Sequence, residues 1–216
     1  MRIAIAGGHG QIARLLGRRL SAEGHEVVGM IRRPEQADDL RADGIEPAVV
    51  SLEDATVEEM AGIVRGADAV VFAAGGGPES GRARKWSVDL LGAVLLADAA
   101  EQAGVRRYVM VSSIGSDTPE NVDPGVFQVY LYAKGGADAD LRTRDLDWTI
   151  VRPGMLTDDE PTGEITIDPE QQRQPITRAD VAHTLADILT TGARVRETLV
   201  VVNGSTPIAQ AVATAD

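Results

Sequence analysis

Residues 2–13 read Arg-Ile-Ala-Ile-Ala-Gly-Gly-His-Gly-Gln-Ile-Ala: a short apolar run, a glycine turn, then the opening of an amphipathic stretch. No other feature constrains the chain as strongly. A strand must stop on Gly7, the backbone must turn within Gly7–Gly10, and a helix must begin at once on Gln11. Read as G-x-x-G-x-x-A, Gly7 serves the tight turn and Gly10 leaves room for an anion close to the backbone. Ala13 is small enough to let the helix lie against the strand. The free N–H groups and dipole of the helix start favour a pyrophosphate there.

The same alternation continues along the chain. Strand-like runs are expected at Arg2–Ala6, Val27–Ile31, Pro47–Val50, Ala69–Ala73, Arg107–Val111, Trp148–Val151 and Thr198–Val202. Helices are expected at Gln11–Ala22, Glu35–Ala42, Thr56–Arg65, Arg84–Ala103 (stopped by Gly104), Val129–Arg144 and Ala179–Leu189. Alternating β and α elements predict an α/β fold, a Rossmann-type doubly wound parallel sheet with helices on both faces. The whole chain, residues 1–216, reads as one domain. Residues 155–177, rich in Thr, Asp, Glu, Pro and Gln, read as a loop or small cap over the substrate, with one alternating run at Glu164–Ile167. In such sheets ligands bind beyond the carboxyl ends of the strands. Here those ends carry Gly7–Gly10, Arg32-Arg33, Gly75–Gly77, Ser112-Ser113 and Arg152–Gly154.

Composition removes several classes of function. The chain has no cysteine, which excludes a disulfide framework, a thiol nucleophile and a thiolate zinc site. Its formal charge of -12 argues against a nucleic-acid binder. No apolar run reaches the roughly 18 residues needed to span a bilayer. The N-terminus enters a strand directly rather than reading as a signal peptide, so a cytoplasmic protein is expected. The three histidines are scattered, and no metal site is expected. The partners expected are a small-molecule substrate and at most a second copy of the chain: a monomer or homodimer, with no membrane.

The end of the second strand bears on the choice between NAD and NADP. NAD-binding folds usually place Asp or Glu there to hold the ribose hydroxyls. This chain has Ile31-Arg32-Arg33-Pro34, and two guanidiniums can clamp a 2′-phosphate, with no carboxylate expected there to repel it. NADP is therefore expected, with NAD as the alternative.

The second chemical signal is Tyr130-Leu131-Tyr132-Ala133-Lys134. It holds two of three tyrosines and one of only two lysines, Lys85 and Lys134, in a chain whose default cation is arginine. Tyr130 and Lys134 fall on one helix face. A nearby ammonium is expected to lower the phenol from its usual value near 10, making Tyr130 a proton donor to a carbonyl that accepts hydride. Ser112 or Ser113 would hold the same carbonyl oxygen.

With GGHGQIA, AVVFAAGGG, VDLLGAVLLADAAEQAGVRRYVMVSSIGS, YLYAK, LDWTIVRPG and ITRADVA in this order, the chain resembles the short-chain dehydrogenase/reductase superfamily over essentially its whole length. Within it, the chain resembles the compact atypical branch labelled NAD(P)H-binding or NAD-dependent epimerase/dehydratase-like. The resemblance implies cofactor contacts at Gly7, Gly10, Gln11, Ile12, Arg32, Arg33, Ala73, Ala74, Gly75, Ser112, Tyr130, Lys134 and the turn Arg152-Pro153-Gly154-Met155. It implies Ser–Tyr–Lys chemistry at Ser113, Tyr130 and Lys134. Ser51 and Leu52 are also expected to contact the cofactor, standing where the family often has an adenine-contacting Asp, and Asp89 stands where it often has Asn. Members of this branch can keep the nucleotide site without the chemistry, so the Tyr/Lys pair has three readings: catalysis, ribose binding alone, or an incidental helix pair.

Three functions are compatible with these features. The first is an NADP-dependent reductase or dehydrogenase acting on a small carbonyl or quinone-like substrate. The second is a non-catalytic NADP-binding sensor. The third, a nucleotide-sugar epimerase or dehydratase, is short of space, since only about 60 residues follow the sixth strand. Trp86 and Trp148 read as packing residues, with the substrate pocket as the alternative for Trp86, His9 and His183 as non-catalytic, and Thr157–Glu160 as a solvated acidic loop.

Overall fold

The computed structural model describes residues 1–77, 79–117, 125–168 and 174–213. Strand β1 (Arg2–Ala6) leads into α1 (Gln11–Ala22), β2 (Glu26–Ile31), α2 (Ala37–Ala42), β3 (Glu46–Val49), α3 (Val57–Val64) and β4 (Ala69–Phe72). A single turn α4 (Arg82–Arg84) then runs through a π-helical segment, Lys85–Leu91, into α5 (Gly92–Ala103). There follow β5 (Arg107–Val111), α6 (Val126–Arg142), β6 (Asp147–Pro153), β7 (Met155–Thr157), β8 (Glu164–Ile167), β9 (Pro175–Thr177), α7 (Arg178–Thr191), β10 (Glu197–Asn203), β11 (Thr206–Pro207) and α8 (Ile208–Ala213).

Nine strands form one sheet in the order β11-β8-β10-β6-β5-β4-β1-β2-β3. Every pairing from β10 to β3 is parallel, and the order reverses at β1, between β2 and β4. The doubly wound fold expected from the alternation is the one observed.

The sheet is buried on both faces because successive side chains point to opposite sides. In β1, Ile3 and Ile5 join the core beneath α1 and α7, while Ala4 and Ala6 join the core beneath α3 and α5. Val71 and Phe72 of β4 divide in the same way. Local signals set the helix ends. Thr56 and Glu59 form a reciprocal capping box on α3, Thr177 caps α7, and Gly104 ends α5 in the left-handed conformation.

Two regions depart from expectation. Residues 155–177 are not simply a loop: β7 and β9 pair as a small parallel ribbon, and β8 joins the main sheet antiparallel to β10. Residues 169–173 of that stretch lie outside the described residues. The free edge of β10 has backbone groups that need partners, and β8 supplies them while burying Ile165. Second, the helix expected from Arg84 contains the π-helical segment, in which Lys85 and Asp89 are both buried. Periodicity alone does not reveal such a segment.

Candidate functional site

At the carboxyl ends of β1, β2 and β4, where strand order switches, lies a cleft of about 390 Å³. Its floor is the glycine turn. Gly7 has a φ of +81, and a Cβ there would lie 2.6 Å from the Ala74 backbone. Gly10 N–H donates to the Gly7 carbonyl at 2.8 Å and opens α1. No side chain caps α1 and no acidic residue occupies its first turn, so its initial N–H groups and positive dipole end face an anion uncontested. These residues fit a pyrophosphate. Gln11 is exposed and Ile12 half-buried against the core, so both place backbone N–H groups at the helix start.

Ala73, Ala74 and Gly75 form the opposite wall, and Leu52 lines the cleft beside β3. Ser51 does something different, donating its hydroxyl to Asp54 at 2.7 Å. His9 hydrogen-bonds Asp39 at 2.7 Å, fastening the glycine turn to α2, and this bond chiefly holds the Asp39 carboxyl below its usual range.

Arg32 and Arg33 line the cleft at the end of β2. The expectation that nothing opposes a phosphate there needs correction. The fold brings Glu53 to 3.7 Å from Arg32 and 3.2 Å from Arg84, and Ser87 donates to the same carboxylate at 2.6 Å. Neither Glu53 nor Arg84 was signalled by local sequence, because their meeting depends on how the loop after β3 faces α4.

Tyr130 and Lys134 share one face of α6. The buried Lys134 ammonium donates to the Val111 carbonyl at 3.0 Å and the Ala74 carbonyl at 3.4 Å. It lies 3.7 Å from Asp89, which is fully buried and accepts the Gly76 N–H at 2.9 Å. Lys134 thus ties the cleft wall to the end of β5. The second lysine arrives at the same place: Lys85 donates to the Gly77 carbonyl at 2.5 Å and lies 5.6 Å from the centre of the Tyr130 ring. Lysine scarcity had marked both residues, and only the fold reveals the place of Lys85.

The phenol does not behave as the Tyr/Lys spacing suggested. Burial, reinforced by the Asp89 carboxylate, pushes Tyr130 up to about 12, while a hydrogen bond with Ser113 pulls the other way. Burial likewise pushes Lys134 below its ordinary value, and Asp89 opposes that shift. The isolated site therefore favours a neutral phenol.

Ser113 and Tyr130 open onto a second cavity, of about 640 Å³. Pro153, Gly154 and Met155 line this cavity. Gly154 is held where the chain crosses itself, with a Cβ position only 2.0 Å from the Gln174 carbonyl. Ser112 is buried, and its hydroxyl has no hydrogen-bond partner among the described residues. Arg152 points into a buried network, with Asp138 2.6 Å from its guanidinium and Asp117 held bidentately. There it braces the segment after β5.

The remaining candidates have structural partners. Trp148 packs in the core, whereas Trp86, expected to pack, is 42% exposed. His183 lies 3.6 Å from Asp187, and Asp158 pairs with Arg178 at 2.8 Å. No acidic or histidine cluster able to hold a metal occurs among the described residues, and no helix among them is long and apolar enough to cross a membrane.

Known proteins share this fold. The family described as NAD(P)H-binding matches residues 7–192, and the chain belongs to it. A Bacillus subtilis relative named an uncharacterized sugar epimerase is 34% identical, with 98% of each chain covered. A solved structure from Bacillus halodurans, named for the NAD-dependent epimerase/dehydratase group, is 39% identical with a TM-score of 0.90 over 98% of each chain. The oxidoreductase ylbE from Lactococcus lactis is 33% identical with a TM-score of 0.86, over 98% of this chain and 95% of its own. The fold is that of NAD(P)H-binding oxidoreductases.

Proposed function

We propose that the chain is an NADPH-dependent reductase that delivers hydride to a carbonyl-type acceptor. The observation that carries this reading is the meeting of Ser113, Tyr130 and Lys134 between two cavities, one fitted to a dinucleotide and one able to take an acceptor. The name of the Lactococcus relative, an oxidoreductase, is consistent with it.

The reduced nicotinamide, when bound, supplies the hydride. Gly7, Gly10 and the start of α1 would hold the pyrophosphate, and Arg32, Arg33 and Arg84, which line the same cleft, would hold a 2′-phosphate. Lys134, anchored on two backbone carbonyls, positions the ribose and the Tyr130 ring. Ser113 orients the acceptor oxygen, and Tyr130 donates its proton to it. A phenol held near 12 is protonated at neutral pH, the form a proton donor needs. An epimerase or dehydrogenase direction needs the phenolate as base, which this environment disfavours.

The test is NADPH consumption by the wild-type protein and Tyr130→Phe against quinones, aldehydes and ketones, with NADPH affinity measured in parallel. Turnover lost in the variant at unchanged NADPH affinity is expected. Turnover unchanged in the variant overturns the mechanism. Nucleotide binding without any turnover replaces it with the sensor reading, and purified protein carrying stoichiometric NAD replaces it with the epimerase reading.

A further inference from the structure

The cavity beyond Tyr130 has a definite chemistry. Its walls are Ile114, Phe127, Leu131, Pro153, Met155 and Leu156. The side-chain polar groups in its described lining are the hydroxyls of Ser113 and Tyr130, and no charged side chain lines it among the described residues. Its volume, about 640 Å³, lies within the range of small-molecule sites.

Two further observations point to an occupant. Phe127 is 69% exposed and Met155 65% exposed, although both are large and apolar. They come from different elements, α6 and β7, yet both border this cavity, so an apolar ligand seated there would cover both. The Phe127 and Tyr130 rings have centroids 5.9 Å apart and planes inclined by 32°. Such a pair presents aromatic surface to a flat partner.

We infer that this cavity takes an uncharged acceptor whose carbonyl is carried on a flat, apolar ring system, a quinone-like compound and not a sugar nucleotide or an anionic substrate. The inference rests on the reductase reading for its chemistry and on the cavity alone for its selectivity. A nucleotide-sugar would bring a diphosphate and several hydroxyls into a wall that offers them two hydroxyl partners and no described cation. A neutral ring system needs no more than those two hydroxyls at one end. In the reaction, one hydride leaves the reduced nicotinamide, which becomes NADP⁺, and adds to the acceptor. The Tyr130 proton passes to the acceptor oxygen and is replaced from solvent. A quinone thereby leaves as the hydroquinone, two electrons and two protons richer.

Binding and turnover are measured separately. The probes are 2-methyl-1,4-naphthoquinone, its 3-sulfonate and UDP-glucose, titrated into the full-length protein by calorimetry and then offered with NADPH. The neutral quinone should bind about tenfold or more tightly than the sulfonate, and UDP-glucose should not displace it. Phe127→Ala and Phe127→Glu, at an exposed position where folding should tolerate change, should each raise the quinone Kd and KM about fivefold or more while NADPH affinity stays fixed. Equal or tighter binding of the sulfonate or UDP-glucose, or a quinone Kd indifferent to both variants, overturns the inference. Selective quinone binding without NADPH oxidation would uphold the cavity assignment and sink the reductase reading. NADPH-dependent turnover of a charged substrate would do the reverse.

Discussion

Lys134 and Asp89 form an ion pair, 3.7 Å apart, with both side chains shut off from solvent. Asp89 also accepts the Gly76 N–H, so a single carboxylate orders the cleft wall and partners the lysine beside Tyr130. Removing one member of a buried pair leaves the other uncompensated, and Asp89→Asn should cost about 3 kcal/mol of stability at pH 7. The loss should shrink as pH rises. Lys134 is already held below its ordinary value by burial, and losing Asp89 lowers it further. A lysine whose folded pKa lies below its unfolded one sheds its proton first in the folded state, so stability recovers with rising pH through that window. Urea denaturation of both proteins at pH 7 and pH 9 checks this, and a gap that stays constant counts against it.

Tyr130 carries the opposite sign. Its folded pKa of about 12 lies above the unfolded value near 10, so its contribution to stability is complete below pH 10 and is lost as pH rises toward 12. The same shift keeps the acid loaded, so the rate of reduction should show no decline from this group between about pH 6 and pH 9. In Asp89→Asn the phenol should titrate lower, because Asp89 helps to raise it. Ultraviolet difference titration of each protein against its Tyr130→Phe counterpart reads that phenol apart from Tyr108 and Tyr132. A Tyr130 titrating at or below 10 in the wild type would refute the assignment.

Features that depend on neighbouring residues were legible in the sequence. The glycine turn, the helix stop at Gly104 and the strand expected at Ala69–Ala73, observed at Ala69–Phe72, each follow from local chemistry. Tyr130 and Lys134 also came together as a four-residue spacing on a helix requires. What depended on distant segments was not legible. The expected lowering of the phenol was misjudged because burial and Asp89, from a different helix, raise it. The Glu53 contact with Arg32 and the destination of the Arg152 side chain are likewise products of the tertiary fold. The pairing of β8 with β10 was hidden for another reason: the run is only four residues long and its partner lies beyond α7.

The Glu53 carboxylate sits between Arg32 and Arg84 at the place where a 2′-phosphate would arrive. A carboxylate there would compete with such a phosphate for both guanidiniums and repel it. Glu53→Gln should therefore tighten NADPH about tenfold while leaving NADH nearly unchanged. Arg32→Ala and Arg84→Ala should each weaken NADPH by about tenfold or more with little effect on NADH. Fluorescence titration with both reduced nucleotides gives the ratios. Equal shifts for NADPH and NADH in these variants would mean that the arginines hold the shared part of the dinucleotide.

Gly7 and Gly10 separate folding from binding. Gly7 has a positive φ and lies against the Ala74 backbone, so Gly7→Ala should disturb the fold itself. Gly10 has an ordinary φ of -66, and a Cβ there meets only the Gly7 carbonyl oxygen at 3.2 Å and the Ala73 carbonyl oxygen at 3.7 Å. Gly10→Ala should cost about 1 kcal/mol or less in urea denaturation. Yet the added methyl group occupies the approach to the first N–H groups of α1, where the pyrophosphate needs backbone contact. NADPH and NADH should both weaken by about a hundredfold, since the lost contact is common to the two. A Gly10→Ala protein that stays folded and binds either nucleotide like the wild type would show that the anion does not rest on this helix start.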